Sequence, residues 1–162
     1  MISTITIKKV YEWLEEVKDP EIPVLSLVDL GVVTEVEING DHIRVELTPT
    51  YAGCPAMDMM KHEVLEKLKF NGVKNPQVEI SFRVPWSSEF ISEKGKQALK
   101  EFGLAPPPSN KLFTDLEILE SAICPRCDGT HTQLKNSFGS TLCRSLYFCE
   151  DCREAFEQFK PL

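Results

Sequence analysis

The sequence predicts an α/β protein: a small domain of order α-β-β-α-β-α around a mixed sheet, followed by a C-terminal β module held together by metal. Three observations carry this expectation. Over the first hundred residues the apolar positions switch between the 3–4 spacing of helices and the alternation of strands. A proline run, Ala105-Pro106-Pro107-Pro108-Ser109-Asn110, then interrupts the chain. Beyond it lie five of the six cysteines, four of them in two C-x2-C pairs. Because proline fixes φ and lacks a backbone donor, the run can continue neither a helix nor a central strand. It reads as a linker over 105–120, between an α/β domain at 1–104 and a cysteine-rich module at 121–162.

The elements follow in order. Ile7, Val10, Leu14 and Val17 keep helical spacing, and Asp19-Pro20 is a stop, which predicts a first helix over about 6–18. The stretch from Glu21 to Gly31 has no clear period and ends in a turn at Asp29-Leu30-Gly31. Val32, Thr34, Val36 and Ile38 alternate with Val33, Glu35 and Glu37. After Asn39-Gly40, Ile43, Val45 and Leu47 alternate with Arg44 and Glu46, a strong hairpin signal. Pro55 suits the first turn of a helix burying Met57, Met60, Val64 and Leu68, with Cys54 at or beside its N-cap. Val78, Ile80 and Phe82 form a third alternating strand. Ser92 is an N-cap candidate and Gly103 a stop for a helix over 92–102 that turns Leu99 and Phe102 inward. In the tail, Thr130–Asn136, Leu142–Phe148 and Ala155–Phe159 read as three strands, the order of a zinc ribbon.

Length and composition limit the function. At 162 residues, with 42% hydrophobic, 27% charged and 9% aromatic side chains, the chain has the make-up of a globular domain plus a module, which excludes a large multidomain enzyme. Lys and Arg number 18 against 25 Asp and Glu, a net charge of -7, so a nucleic-acid partner is disfavoured. No leader pattern and no membrane-length apolar run is visible, and the expectation is a cytoplasmic protein without a membrane partner. In a reducing compartment, clustered cysteines point to metal rather than disulfides.

Cys124-Pro125-Arg126-Cys127 and Cys149-Glu150-Asp151-Cys152 are separated by 21 residues. Two residues between thiolates let each tight knuckle aim both sulfurs at one ion, and two knuckles complete a tetrahedron. Zinc is the first choice for this structural metal, with iron in a rubredoxin-like site as the alternative. The 39 residues from Cys124 onward are too few for a free-standing core, which explains the need for such a staple. Cys143 reads either as a spare thiol that passes metal onward or as a small core residue. His131 is either a replacement ligand or an exposed strand residue.

Cys54 is the second chemical signal. A thiol at a helix N-terminus faces open backbone N–H groups, which lower its pKa and suit it to be a nucleophile or a transient metal ligand. The opposing reading is an inert buried cysteine. Asp19, Glu21 and Asp29 are auxiliary candidates that could cradle a metal, against the usual capping roles of such residues in turns. Trp86 reads as core packing or as an interface anchor. No phosphate loop, nucleophile elbow, H-E-x-x-H or Glu-x-x-His di-iron pattern is present, so no complete active site is visible.

Asp19-Pro20-Glu21-Ile22-Pro23, Asp29-Leu30-Gly31-Val32-Val33 and Thr48-Pro49-Thr50-Tyr51-Ala52-Gly53-Cys54-Pro55-Ala56 resemble the small iron-sulfur assembly proteins that include SufT and cytosolic targeting factors. With Pro85-Trp86-Ser87-Ser88, the Gly103-Leu104-Ala105-Pro106-Pro107 exit and the cysteine tail, the full-length pattern is similar to the PaaD (PaaJ) family. That family is the D component encoded with the multicomponent phenylacetyl-CoA epoxidase of phenylacetate degradation. The resemblance implies a non-catalytic accessory or maturation factor assisting iron or iron-sulfur cluster assembly or delivery. Its implied partners are the oxygenase and reductase components or iron-sulfur assembly proteins, and a homo-oligomer stays open. The resemblance also maps a reactive cysteine onto Cys54 and tail metal ligands onto Cys124, Cys127, Cys149 and Cys152. A non-catalytic interaction component of the oxygenase, docking through the tail and the Trp86 region, is the alternative, and an independent thiol enzyme a third.

Overall fold

The computed structural model describes residues 5–108 and 122–161. The chain divides into two compact units, one up to Trp86 and one from Ser87.

The first unit begins with α1 (Ile7–Leu14), whose N-cap Thr6 accepts the Lys9 N–H. Val10, Leu14 and Val17 are buried as the spacing predicts, but Ile7 stays half exposed. The helix ends at Leu14, short of the expected 18, because the following backbone pairs elsewhere. The Leu27 N–H donates to the Val17 carbonyl at 3.0 Å and the Asp19 N–H to the Leu25 carbonyl at 2.9 Å. The stretch after it is therefore a buried turn scaffold, with Ile22, Leu25, Leu27 and Leu30 all nearly inaccessible.

Strands β1 (Val33–Asn39) and β2 (His42–Leu47) form the expected hairpin, closed by Gly40 and Asp41, with Gly40 at φ +62°. A positive φ at the first loop residue alone is the II′ pattern, and glycine supplies it without steric cost. A bulge at Thr34 interrupts the alternation of β1; there the Thr34 hydroxyl bonds the Glu46 carbonyl and Thr48. Helix α2 (Met57–Phe70) buries Met57, Met60, Val64 and Leu68, the four residues its period selects. It leads into β3 (Asn75–Ile80), which pairs parallel to β2, so the sheet is mixed with order β1-β2-β3. The third strand runs earlier than its alternation suggested, and Phe82 lies outside it, exposed. Trp86 is buried and its indole N–H donates to the Leu30 carbonyl at 3.0 Å, tying the end of the unit to the turn scaffold.

Opposite the apolar face of this sheet, Glu35, Glu46 and Glu79 stand in one register across the three strands. Like charges directly opposite one another destabilise a sheet. Arg44 offsets this by bonding Glu79, Glu37 and Glu46 at 3.0 Å each, and Arg83 does so by bonding Glu35 at 2.8 Å and Glu46 at 3.0 Å.

In the second unit a short 3-10 turn (Ser88–Phe90) precedes α3 (Glu93–Phe102). Ser92 caps the helix by accepting the Gly95 N–H at 2.9 Å, and Gly103 ends it in the left-handed conformation at φ +90°. Leu99 is fully buried, whereas Phe102, expected inside, is 47% exposed at the last helical position. Strands β4 (Leu104–Ala105), β5 (Thr132–Asn136), β6 (Arg144–Cys149) and β7 (Ala155–Phe159) form a second sheet of order β4-β7-β6-β5.

Strand β4 shifts the expected division of the chain. Instead of ending the first domain at 104, α3 and β4 belong with the tail: β4 pairs parallel to β7, and Lys100 of α3 pairs with Asp128 at 2.5 Å. The first linker residues are packed, with Ala105 joining Ala122, Cys124, Tyr147, Cys149 and Phe156 in one core. Residues 109–120 of the expected linker lie outside the described residues.

The charged sheet face has a pH signature. Burial would raise the Glu46 pKa, but hydrogen bonds from Arg83, Ser81 and Arg44 outweigh it and hold the carboxyl below its ordinary value. Its stabilising contribution is present above the unfolded carboxyl pKa of about 4.3 and is lost as pH falls through the folded value. Both tryptophans, Trp13 and Trp86, lie in the first unit, so their fluorescence follows its unfolding. Glu46→Gln should lower the urea midpoint at pH 7 and have a much smaller effect at pH 3. Equal effects at both pH values would show that Glu46 does not act through its charge.

Candidate functional site

Two sulfur environments are present, one in each unit. In the second unit the two knuckles are near copies of each other. The Asp128 N–H donates to the Cys124 carbonyl at 3.0 Å, and the Arg153 N–H to the Cys149 carbonyl at 2.9 Å. One residue further on, the Gly129 and Glu154 carbonyls accept from the Cys124 and Cys149 N–H groups at 3.0 and 2.9 Å. Each loop requires a left-handed residue after its second cysteine, and here Asp128 (φ 57°) and Arg153 (φ 63°) adopt it.

The result is that Sγ atoms of Cys124, Cys127, Cys149 and Cys152 lie within 4.8 Å of one another. Cys124 and Cys152 are 3.7 Å apart and Cys127 and Cys149 3.6 Å. A tetrahedron with metal–sulfur bonds of ~2.3 Å has edges of ~3.8 Å, so this donor set fits a four-thiolate ion. Crowding splits the acidities: the Cys152 N–H and neighbouring sulfurs lower the Cys149 pKa. Cys127 accepts the Gly129 N–H, which acts downward, but desolvation and the other three sulfurs push it up to about 12. The cluster packs on a core whose largest members are Tyr147 and Phe156, stacked with ring centroids 5.6 Å apart.

Cys143 and His131 stand outside this group of four. Cys143 is 5% exposed just before β6, 3.0 Å from the Thr141 hydroxyl, which is the setting of a small core residue. His131 is exposed and its Nδ1 lies 2.8 Å from the Asp151 carboxylate.

In the first unit Cys54 precedes α2, but the N-cap is Ala56, two residues on. The sulfur is half-buried; it accepts the Ala56 N–H and the Tyr51 hydroxyl, and the carboxylates of Glu21 and Asp19 act on it. The expected lowered pKa is not found. Burial, the largest cause, together with Glu21 and Asp19 raises the thiol above its ordinary value, outweighing the two hydrogen bonds. The fold brings these acids to the helix end from a segment more than thirty residues earlier.

Asp19 also has the structural role its turn suggests, accepting the Glu21 and Ile22 N–H groups at 2.8 Å each. Asp29 is buried in a reciprocal turn, accepting the Ser26 hydroxyl at 2.8 Å while its N–H donates to Ser26 at 2.9 Å. Of the three auxiliary acids, Glu21 and Asp19 act electrostatically on Cys54. Tyr51 is the neighbour that sequence reasoning passed over, although it sits in the same Tyr51-Ala52-Gly53-Cys54 segment.

The small core of the tail leads to a test. Cys127→Ser should release the tail metal and leave β5–β7 open to protease while tryptophan fluorescence stays that of the wild type. A structural zinc contributes roughly 10–16 kcal/mol of apparent binding free energy, which a module this small cannot replace by burial. Full metal content and protease resistance in the variant would contradict the ligand set.

Comparison with known proteins reproduces this two-part arrangement. Residues 7–82 match the family described as iron-sulfur cluster assembly protein, and residues 108–160 the family described as PaaD zinc beta ribbon domain. The chain is 33% identical over 100 residues to an Fe-S protein maturation auxiliary factor of Porphyromonas gingivalis, covering 60% of this chain and 91% of that one. A solved domain of unknown function, DUF59, from Bacillus anthracis shares 33% identity with a TM-score of 0.54, over 57% of this chain and 89% of that chain. A conserved hypothetical protein of Thermotoga maritima shares 31% identity with a TM-score of 0.53, over 64% of this chain and all of that one. Across both parts, the chain is 37% identical over 162 residues to the putative D component of the 1,2-phenylacetyl-CoA epoxidase of Escherichia coli, covering 98% of this chain and 97% of that protein. The chain therefore belongs to the PaaD family, the D components of phenylacetyl-CoA epoxidase systems, in which an iron-sulfur-assembly region is joined to a zinc ribbon.

Proposed function

We propose that this protein is a non-catalytic maturation factor that holds iron or an iron-sulfur unit at Cys54 and delivers it to a component of a phenylacetyl-CoA epoxidase system in the cytoplasm. The observation that carries this reading is the acidic setting of Cys54. Burial and, after it, Glu21 and Asp19 disfavour a free thiolate, and the negative charge of the two acids favours an arriving cation. When ferrous iron binds, the thiol proton leaves and the sulfur–iron bond takes its place. Among the described residues no further Cys, His, Asp or Glu completes a compact ligand set with Cys54, since the four tail cysteines alone form such a group. One sulfur with two acids nearby suits cargo whose remaining ligands come from a partner chain. Transfer out of the site then replaces one thiolate bond with several on the client.

A thiol enzyme and docking through Trp86 have less physical support. A thiol nucleophile requires an accessible thiolate near neutral pH, and burial and the two acids oppose it. Docking through Trp86 requires an exposed anchor, and Trp86 is buried with its N–H already bonded. Names of relatives support the maturation reading: an auxiliary factor of Bacillus subtilis for Fe-S protein maturation is 35% identical over 88 residues. No described helix is long and apolar enough to cross a membrane. In the tail, Cys124, Cys127, Cys149 and Cys152 hold zinc as a structural ion.

Cys54→Ser should leave folding stability within about 0.5 kcal/mol, because the substitution is nearly isosteric at a half-exposed loop position. In a strain whose only copy is this variant, the reductase component of the epoxidase system should be purified with reduced iron and sulfide, and phenylacetate growth should fail. Normal cluster content and normal growth, with the variant protein present at wild-type level, would contradict delivery through Cys54.

A further inference from the structure

The two knuckles copy each other in backbone, but their third residues do different work. Arg126, third in the first knuckle, reaches Glu154 after the second at 3.3 Å, and both side chains are 55% exposed. Such a pair contributes little in water. Asp151, third in the second knuckle, reaches the segment following the first. Its Oδ1 lies 2.8 Å from Nδ1 of His131, in a pair whose side chains are 40% and 78% exposed. The exchange is completed on the main chain, where the Glu150 N–H donates to the His131 carbonyl at 2.8 Å. The carboxylate also lies against Gly129 so closely that a Cβ there would collide with it and stand 3.0 Å from Cys127 Sγ. Glycine at 129 is thus the opening through which Asp151 crosses from one knuckle to the other.

We propose that Asp151 is a positioning residue that latches the second knuckle onto the first, so that the tail ion is a resident that leaves slowly rather than cargo. A tetrahedral four-thiolate ion cannot leave until sulfurs of one knuckle separate from those of the other. The contacts of Asp151 with His131 and Gly129, backed by the Glu150–His131 main-chain bond, oppose that separation, whereas the single 3.3 Å Arg126–Glu154 contact opposes it weakly. Neighbours of this kind, next to the ligands but not ligands themselves, typically alter metal affinity by 10–100-fold.

This inference rests on the reading of the tail as a metal site, and the test separates the two. The full chain is loaded with zinc, and transfer of zinc to an excess of chromogenic chelator is timed for wild type, Asp151→Ala, His131→Ala, the double variant and Arg126→Ala. Cobalt-loaded samples report the thiolate ligand field. Absence of zinc from wild-type protein would remove the metal reading itself. With zinc present, Asp151→Ala should release it about tenfold faster, taking the lower end of that range, while retaining the tetrahedral cobalt–thiolate absorption. His131→Ala should also accelerate release, and the double variant should be no faster than Asp151→Ala, because both remove one latch. Arg126→Ala should match wild type. Release from Asp151→Ala and His131→Ala at the wild-type rate, purely multiplicative effects in the double variant, or an equal acceleration by Arg126→Ala would each overturn the latch. If Asp151→Ala does not fold, His131→Ala decides alone: faster release supports the latch and unchanged release overturns it.

Discussion

The convergence of four sulfurs from two knuckles is the constraint on which the second unit depends. The core cluster that includes the sulfurs consists of a stacked Tyr147–Phe156 pair, two alanines and two of the cysteines themselves. Side chains that would otherwise fill a core are here donors. The helix and short strand that precede the tail are organised around the same centre, through Lys100 on Asp128 and through the pairing of β4 with β7. Cross-linking by an ion would do for this unit what apolar burial does for the first, where Val10, Leu14, Val45, Leu47, Val64 and Leu68 are fully inaccessible.

The Cys54 sulfur is the opposite case, and on the proposed reading the contrast would let one chain keep one metal and release another. In the tail, four thiolates give an ion all the ligands it needs and leave no open position. At Cys54 one half-buried sulfur meets a tyrosine hydroxyl, one backbone N–H and the field of two carboxylates. On that reading, charge would draw a cation there without enclosing it. The buried turn scaffold of residues 19–30 makes this possible, since Asp19 is fixed by two backbone N–H groups and therefore presents its charge at a constant place.

Much of this was legible in the sequence because it is local. The period of Met57, Met60, Val64 and Leu68 fixes the buried face of α2, Ser92 and Gly103 mark the ends of α3, and the C-x2-C spacing identifies the sulfur cluster. Several of the expectations that fail involve partners distant in sequence. The first helix stops early because Val17 pairs with Leu27, and β4 is a strand only through pairing with β7, some fifty residues on. The direction of the Cys54 pKa differs for the same reason: the helix end is visible beside it, but Asp19 and Glu21 are brought to it by the fold. The glutamate row across the first sheet is likewise a property of register, invisible until β2 and β3 are paired.

The central claim, that Cys54 carries transferable iron while the tail keeps its own ion, is tested most directly by anaerobic titration of the purified, zinc-replete full chain with ferrous iron, alone and with sulfide. The account predicts that wild type takes up iron which a mild chelator removes at once, with tail zinc unchanged, and that Cys54→Ser takes up none beyond background. Equal iron uptake by the two proteins, or uptake only at the expense of tail zinc, would contradict it.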